Sequence, residues 1–134
     1  AVVLLAVPKT RKTGYAAVLS LIFGVIVTNL LLKNIVARPR PFAEIEALIP
    51  LIAKPTDFSF PSGHTTASFA VALVMLRMLP KKIGIPAVVL AALVAFSRLY
   101  LGVHYPTDVL AGFVVALVGS SLAVWGVRTK LGNQ

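Results

Sequence analysis

The sequence predicts an all-α fold, a polytopic transmembrane helical bundle with four spans visible in its 134 residues. Three observations carry this expectation. Hydrophobic residues make up 58% of the chain, and mean hydropathy is +0.93. Charged residues are 13%, about half the share of an ordinary soluble domain. The few charges also lie between long uncharged runs. Two of these, Tyr15 to Leu32 and Val109 to Val127, are long enough at about 1.5 Å per residue to cross or nearly cross a hydrocarbon core of roughly 30 Å.

The elements follow in chain order. "AVVLLAV" ahead of Pro8 reads as the tail of an apolar helix. With no methionine opening the chain, it is expected to be the remnant of helices that precede this piece. A signal peptide is the competing reading, but the stretch is short and no basic segment stands before it. The first full span is expected near residues 15 to 32. The second, near 64 to 80, is interrupted only by Arg77, whose stem can snorkel at a helix end. The third lies near 83 to 99, uncharged from Ile83 to Ser97, and the fourth near 107 to 127. No repeat, low-complexity tract or composition shift divides the chain, so residues 1 to 134 form one membrane-embedded domain. The absence of cysteine excludes disulfides and thiolate chemistry within these residues.

Four spans fix which connecting segments share a face. One side collects Lys9, Arg11, Lys12, Arg77, Lys81, Lys82, Arg128 and Lys130, with no acid. The other holds Lys33, Arg38, Arg40, Lys54 and Arg98 together with Glu44, Glu46, Asp57 and Asp108, which are all the acids of the chain. By the positive-inside rule the first side is cytoplasmic and the second faces outward, in the cell membrane. The net charge of +9 is then read as attraction to anionic lipid headgroups rather than to nucleic acid, because the charges flank apolar spans.

The outward side also carries the unusual residues: "KNIVARPRPF", "PSGH" and "SRLYLGVHYPTD", with both histidines among them. Lys33 and Arg40 are two helical turns apart and would share a face if the helix ran on to the Arg-Pro pairs. Pro39 and Pro41 then force the chain out of the helix. In "PSGH", Pro61 and Ser62 suit a helix start, and Gly63 lets the free N–H groups of the first turn approach an anion. Arg98 ends the third span, and Gly102 permits a sharp exit. His104 and Asp108, four apart around Pro106, fit the first turn of the last helix, where the aspartate can hold one ring nitrogen and leave the other to attack.

Taken singly, each residue has a plainer reading. Lys33 or Arg38 can be an interfacial anchor, and Arg38 keeps that assignment because one arginine of "RPRP" satisfies the spacing. His64 can be a packed histidine, Ser62 a cap, and Asp108 a charge complementing the helix dipole. Tyr15, Tyr100, Tyr105 and Trp125 fit an aromatic belt. Three cations, two histidines, a glycine-opened helix start and an oriented aspartate on one membrane face are together what phosphoryl transfer requires.

This ordered set resembles the type 2 phosphatidic acid phosphatase superfamily, whose signature is K-x6-R-P, P-S-G-H and S-R-x5-H-x3-D. The matching residues are Lys33, Arg40 and Pro41; Pro61, Ser62, Gly63 and His64; and Ser97, Arg98, His104 and Asp108. Similar membrane proteins have six helices. The resemblance implies that His104 attacks phosphorus to give a phosphohistidine, oriented and charged by Asp108. His64 would protonate the leaving oxygen and then activate water. Lys33, Arg40, Arg98, Ser62 and Gly63 would hold the phosphoryl oxygens, with Ser97 supporting the same cradle. No cluster of carboxylates or histidines is left over for a metal, so no metal and no other cofactor is expected.

The expected substrate is a lipid phosphate or diphosphate whose tail stays among the membrane lipids: polyprenyl diphosphate, phosphatidylglycerol phosphate or phosphatidic acid. Specificity would lie in the helix surfaces and in the loop from Phe42 to Phe60. The alternative is a non-catalytic lipid-phosphate binder or transporter built on the same cations. The histidine pair favours the enzyme, because binding alone needs no nucleophile.

Overall fold

A computed structural model describes residues 1–45 and 58–132 of the chain. A short apolar helix, α1 (Val2–Ala6), leads through a 3₁₀ turn at Pro8–Thr10 into α2 (Arg11–Val25). The axis continues through a wide-turn π stretch, Ile26–Leu32, into a last helical turn, α3 (Lys33–Val36). A single turn, α4 (Pro41–Glu44), follows, and then three longer helices: α5 (Gly63–Met78), α6 (Lys81–Tyr100) and α7 (Pro106–Leu131). Among the described residues there is no strand.

The long helices stand where the apolar runs predict them. Three segments, Pro8–Ala43, Lys81–Tyr100 and Pro106–Leu131, are long and apolar enough to cross a bilayer. The chain is a multi-pass membrane protein. The fourth, α5, has 16 residues, which at 1.5 Å per residue is about 24 Å, less than a hydrocarbon core of roughly 30 Å. It packs against α2, α6 and α7, and a helix so enclosed does not have to match the bilayer with its own length.

Packing inverts the soluble pattern. The interior is built from small residues: Ala70, Ala72, Ala91, Ala95 and Ala116 around Phe69 and Leu73 in one cluster, and Ala16, Ala17 and Ala123 around Val74, Val124 and Val127 in the other. Large side chains such as Leu30, Leu93, Phe96, Leu122 and Trp125 point outward. With lipid as apolar as leucine, helices gain by close backbone approach and polar links rather than by hiding large side chains. Gly112 of α7 marks one such approach: a Cβ there would stand 2.8 Å from the Ser62 carbonyl oxygen at the start of α5. One polar link joins the π stretch to α5, where Thr28 Oγ1 donates to Thr66 Oγ1 at 3.2 Å and Thr66 Oγ1 donates to the Ser62 carbonyl at 2.9 Å.

The two ends of the bundle differ as the charge pattern predicts. At one end Arg77 donates to Ser120 Oγ at 2.9 Å, and Arg128 donates to the Arg77 carbonyl at 3.0 Å. The motif residues occupy the other end. Glu46, Lys54 and Asp57, counted on that side, lie outside the described residues, as does most of the loop expected to govern specificity.

Candidate active site

The helix bearing Lys33 does not continue to Arg40. It stops at Val36, because Ala37 takes a left-handed conformation (φ 49, ψ 44) and Arg40 is extended (φ −74, ψ 156). The two cations therefore meet through a chain reversal rather than along one helical face. Arg40 is buried and its Nη1 donates to the Val103 carbonyl at 2.9 Å, which aims the guanidinium across the loop between α6 and α7.

Ser62 caps α5, its Oγ accepting from Thr65 N–H at 3.4 Å. The residue also donates its N–H to the Asp108 carbonyl at 3.0 Å, which fastens the start of α5 to the first turn of α7. Gly63 follows, with nothing closer than ordinary van der Waals contact at its Cβ position. A Cβ at that position would lie 3.9 Å from Lys33 Nζ, so the lysine ammonium stands beside the first turn of α5, the end of a helix at which leading N–H groups can meet an anion.

Beyond Arg98, in the last turn of α6, Gly102 adopts positive φ (75) and reverses the chain. His104 sits in this loop, just ahead of α7 rather than within its first turn. Asp108, in that first turn, is fully buried, and its Oδ2 stands 3.6 Å from His104 Nδ1. That separation is longer than a hydrogen bond, and it leaves Nδ1 facing the carboxylate. His104 Nε2 lies 3.1 Å from Arg40 Nη1. An arginine only donates, so Nε2 is the unprotonated nitrogen and Nδ1 carries the proton that faces the aspartate. Burial lowers the His104 pKa below the usual histidine value, and Arg40 and Arg98 push the same way against the upward pull of Asp108. The ring is therefore neutral, with a lone pair on Nε2.

Six of the residues singled out by sequence line one cavity of about 420 Å³: Lys33, Arg40, Gly63, His64, Arg98 and His104. Asp108 stands behind His104. Ser97 is placed elsewhere, its hydroxyl donating to the Val94 carbonyl at 2.6 Å. Ser62 Oγ accepts the capping bond from Thr65 N–H and does not line the cavity. Among the described residues no group of histidines and carboxylates has the make-up of a metal site.

Three residues near the site escape the sequence reading. Asn29, on the π stretch, lines the same cavity. Ser59 is buried and its hydroxyl donates to Asp108 Oδ2. Arg38, read as an anchor, donates to Asp108 Oδ1 at 2.7 Å. The only cues for the last two are a serine set between aromatics in "FSFPSGH" and the doubled Arg-Pro.

Comparison with known proteins finds relatives for the chain. Residues 14–131 match the PAP2 superfamily. An undecaprenyl-diphosphatase of Sulfolobus acidocaldarius is 37% identical over 127 residues, covering 95% of this chain and 60% of that protein. Undecaprenyl-diphosphatase BcrC of Bacillus subtilis is 40% identical over 112 residues, 82% of this chain and 55% of the relative. The chain thus spans less than two thirds of these relatives. A crystal structure of a transmembrane PAP2-type phosphatidylglycerolphosphate phosphatase from Bacillus subtilis superposes with a TM-score of 0.68 at 32% identity, over 96% of this chain and 63% of the other.

Proposed function

The chain belongs to the PAP2 superfamily, and from that premise we propose that it is an integral membrane phosphatase that removes phosphate from a lipid phosphate or diphosphate headgroup through a phosphohistidine on His104. The observation that carries this reading is the single cavity in which Lys33, Arg40, His64, Arg98 and His104 meet. A binding pocket needs the cations; the neutral imidazole with a carboxylate behind it is what a nucleophile needs.

The steps follow from the atoms. A phosphoryl group enters between Lys33, Arg40, Arg98 and the first-turn N–H groups of α5, which stabilise the charge on its oxygens in the transition state. As Arg40 turns to the phosphate, the His104 Nε2 lone pair is released and attacks phosphorus. The bond to the leaving oxygen breaks, and His64 delivers a proton to that oxygen. The Nδ1 proton stays on the ring, and Asp108 stabilises the imidazolium character that develops. Water then attacks phosphorus as His64 takes its proton, the P–N bond breaks, and its electron pair returns to Nε2.

An open cavity at the end of apolar helices suits a headgroup whose tail remains in the bilayer. The names of the relatives favour a polyprenyl diphosphate as the first substrate to test, ahead of phosphatidylglycerol phosphate and phosphatidic acid. The charge asymmetry between the ends of the bundle supports a site on the outer face of the cell membrane. The deciding experiment is phosphate release by the intact protein in detergent, with these three lipids offered side by side. Release that persists in EDTA and is inhibited by vanadate is expected. No release from any of them, with lipid phosphate still bound, would favour the binder instead.

A further inference from the structure

Arg38 has the appearance of an interfacial anchor in the sequence, yet its side chain turns inward. Its Nη1 donates to Asp108 Oδ1 at 2.7 Å and to Thr107 Oγ1 at 2.6 Å. The guanidinium carbon stands 5.0 Å from the Phe60 ring centroid and 5.7 Å from that of Tyr105, so two aromatic faces hold it in place. The partner carboxylate is fully buried, whereas the Arg38 side chain keeps 32% of its surface exposed. A lipid anchor would direct its charge to headgroups. This one spends it on a carboxylate in the protein.

The neighbouring strand of chain reinforces the arrangement. Ser59 N–H donates to the Arg38 carbonyl at 2.8 Å, and the Ser59 hydroxyl donates to Asp108 Oδ2. Tyr105 N–H donates to the same Oδ2 at 2.7 Å. With Oδ1 held by Arg38 and Oδ2 held by Ser59 and Tyr105, the carboxylate cannot rotate without losing several charge-assisted hydrogen bonds. Its Oδ2 is thereby kept toward His104 Nδ1. Arg38 does not line the cavity where Lys33, Arg40 and Arg98 converge.

We propose that Arg38 is a positioning residue for phosphoryl transfer: acting through Asp108, which it clamps together with Ser59, it fixes the His104 imidazole with Nε2 toward the cavity. The inference rests on His104 being the nucleophile. Two consequences separate it from a structural or substrate-binding role. Arg38 acts on the reacting geometry and not on the bound phosphate, so its loss lowers kcat at unchanged KM. Arg38 also offsets part of the Asp108 charge that His104 feels. Without it the imidazolium is better stabilised, and the neutral ring is lost at a higher pH. The other charged or titratable groups acting on His104 are Arg40, Arg98 and His64.

The test uses the intact protein in detergent, with p-nitrophenyl phosphate and a short-chain prenyl diphosphate as probes. Arg38→Gln is expected to lower kcat by on the order of 10²-fold, the loss typical of a small misplacement of reacting groups, with KM unchanged. The acid limb of its kcat/KM profile moves to higher pH than wild type on the same substrate. In Arg38→Ala, guanidinium ion in the buffer restores part of kcat. Ser59→Ala, a small change that preserves the arginine, is expected to lower kcat at constant KM without moving the limb. Wild-type kcat in Arg38→Gln and Ser59→Ala returns Arg38 to the role of anchor. A raised KM at constant kcat makes it a substrate cation, and a loss of folded protein without a limb shift in the folded fraction makes it a structural pin. Each of these outcomes overturns the proposal. An inactive wild type would instead overturn the phosphatase reading itself.

Discussion

His104 Nδ1 faces Asp108 and Nε2 faces Arg40, so the two nitrogens are distinguished before any substrate enters. His104→Ala is therefore expected to form no phosphoenzyme on any substrate. Under the proposed mechanism, His64→Ala keeps the nucleophile and loses the proton donor. It should still be phosphorylated by an aryl phosphate, whose leaving group needs no proton, while failing on a lipid phosphate. Acid-labile radiolabel retained on the protein from a ³²P-labelled aryl phosphate reads the difference, and equal loss in both variants would refute the division of roles. Asp108→Asn tests the other side of the ring. Both carboxylate oxygens accept hydrogen bonds, Oδ1 from Arg38 and Oδ2 from Ser59 and Tyr105 N–H, and an amide turns an NH₂ group toward one set of donors. Turnover should fall by up to ~10⁴-fold, the loss seen when a histidine's orienting aspartate is neutralised. The pH effect has a definite sign. His104 already lies below the usual value through burial, and Asp108 is the group that opposes this. Without it the ring stays neutral to still lower pH, and the acid limb moves down, opposite to Arg38→Gln.

At the scale of elements, the site depends on how closely α5 and α7 approach. Gly112 faces the Ser62 carbonyl oxygen at 2.8 Å, Thr66 Oγ1 at 3.0 Å and Thr65 Cβ at 3.1 Å, measured from where its Cβ would be. Backbone on the α5 side cannot yield as a flexible side chain does. Gly112→Ala must therefore part the helix start that carries His64 from the helix start that carries Asp108. Overpacking of this kind costs about 1–3 kcal/mol, and activity should fall with it. Gly126, on the same helix, has nothing within 4 Å of its Cβ position. Gly126→Ala should be neutral or stabilising by about 0.5–1 kcal/mol, since alanine is the better helix residue. Thermal unfolding in detergent compares the two. Equal stability would mean that α5 and α7 do not touch at Gly112.

The described residues are polarised along the bundle axis, with Lys33, Arg40 and Arg98 around the cavity at one end and a basic cluster without acids at the other. The outward cavity proposed above rests on attraction of that cluster to anionic cytoplasmic headgroups, which would orient the bundle. Single cysteines at Ala43 and Lys81, both exposed, report the orientation in intact cells treated with a membrane-impermeant maleimide. Position 43 should label and position 81 should not. The reverse pattern would turn the cavity to the cytoplasm and make the substrate an inner-leaflet lipid.

The sequence by itself determined the helical membrane fold, because a chain this apolar can satisfy its backbone in lipid only with closed hydrogen-bonded elements, and uncharged runs mark where they lie. It also named Lys33, Arg40, His64, Arg98, His104 and Asp108 from residue type and spacing. Tertiary structure decided how those residues meet. Arg40 reaches the cavity through the reversal at Ala37, which no periodicity announces. Ser97 turns back onto its own helix, and Arg38 and Ser59 close on Asp108 from segments far from it in sequence. Spacing within a helix is local and can be read from the chain. A buried carboxylate collects its donors from whatever packing brings near, and that choice is made only when the helices come together.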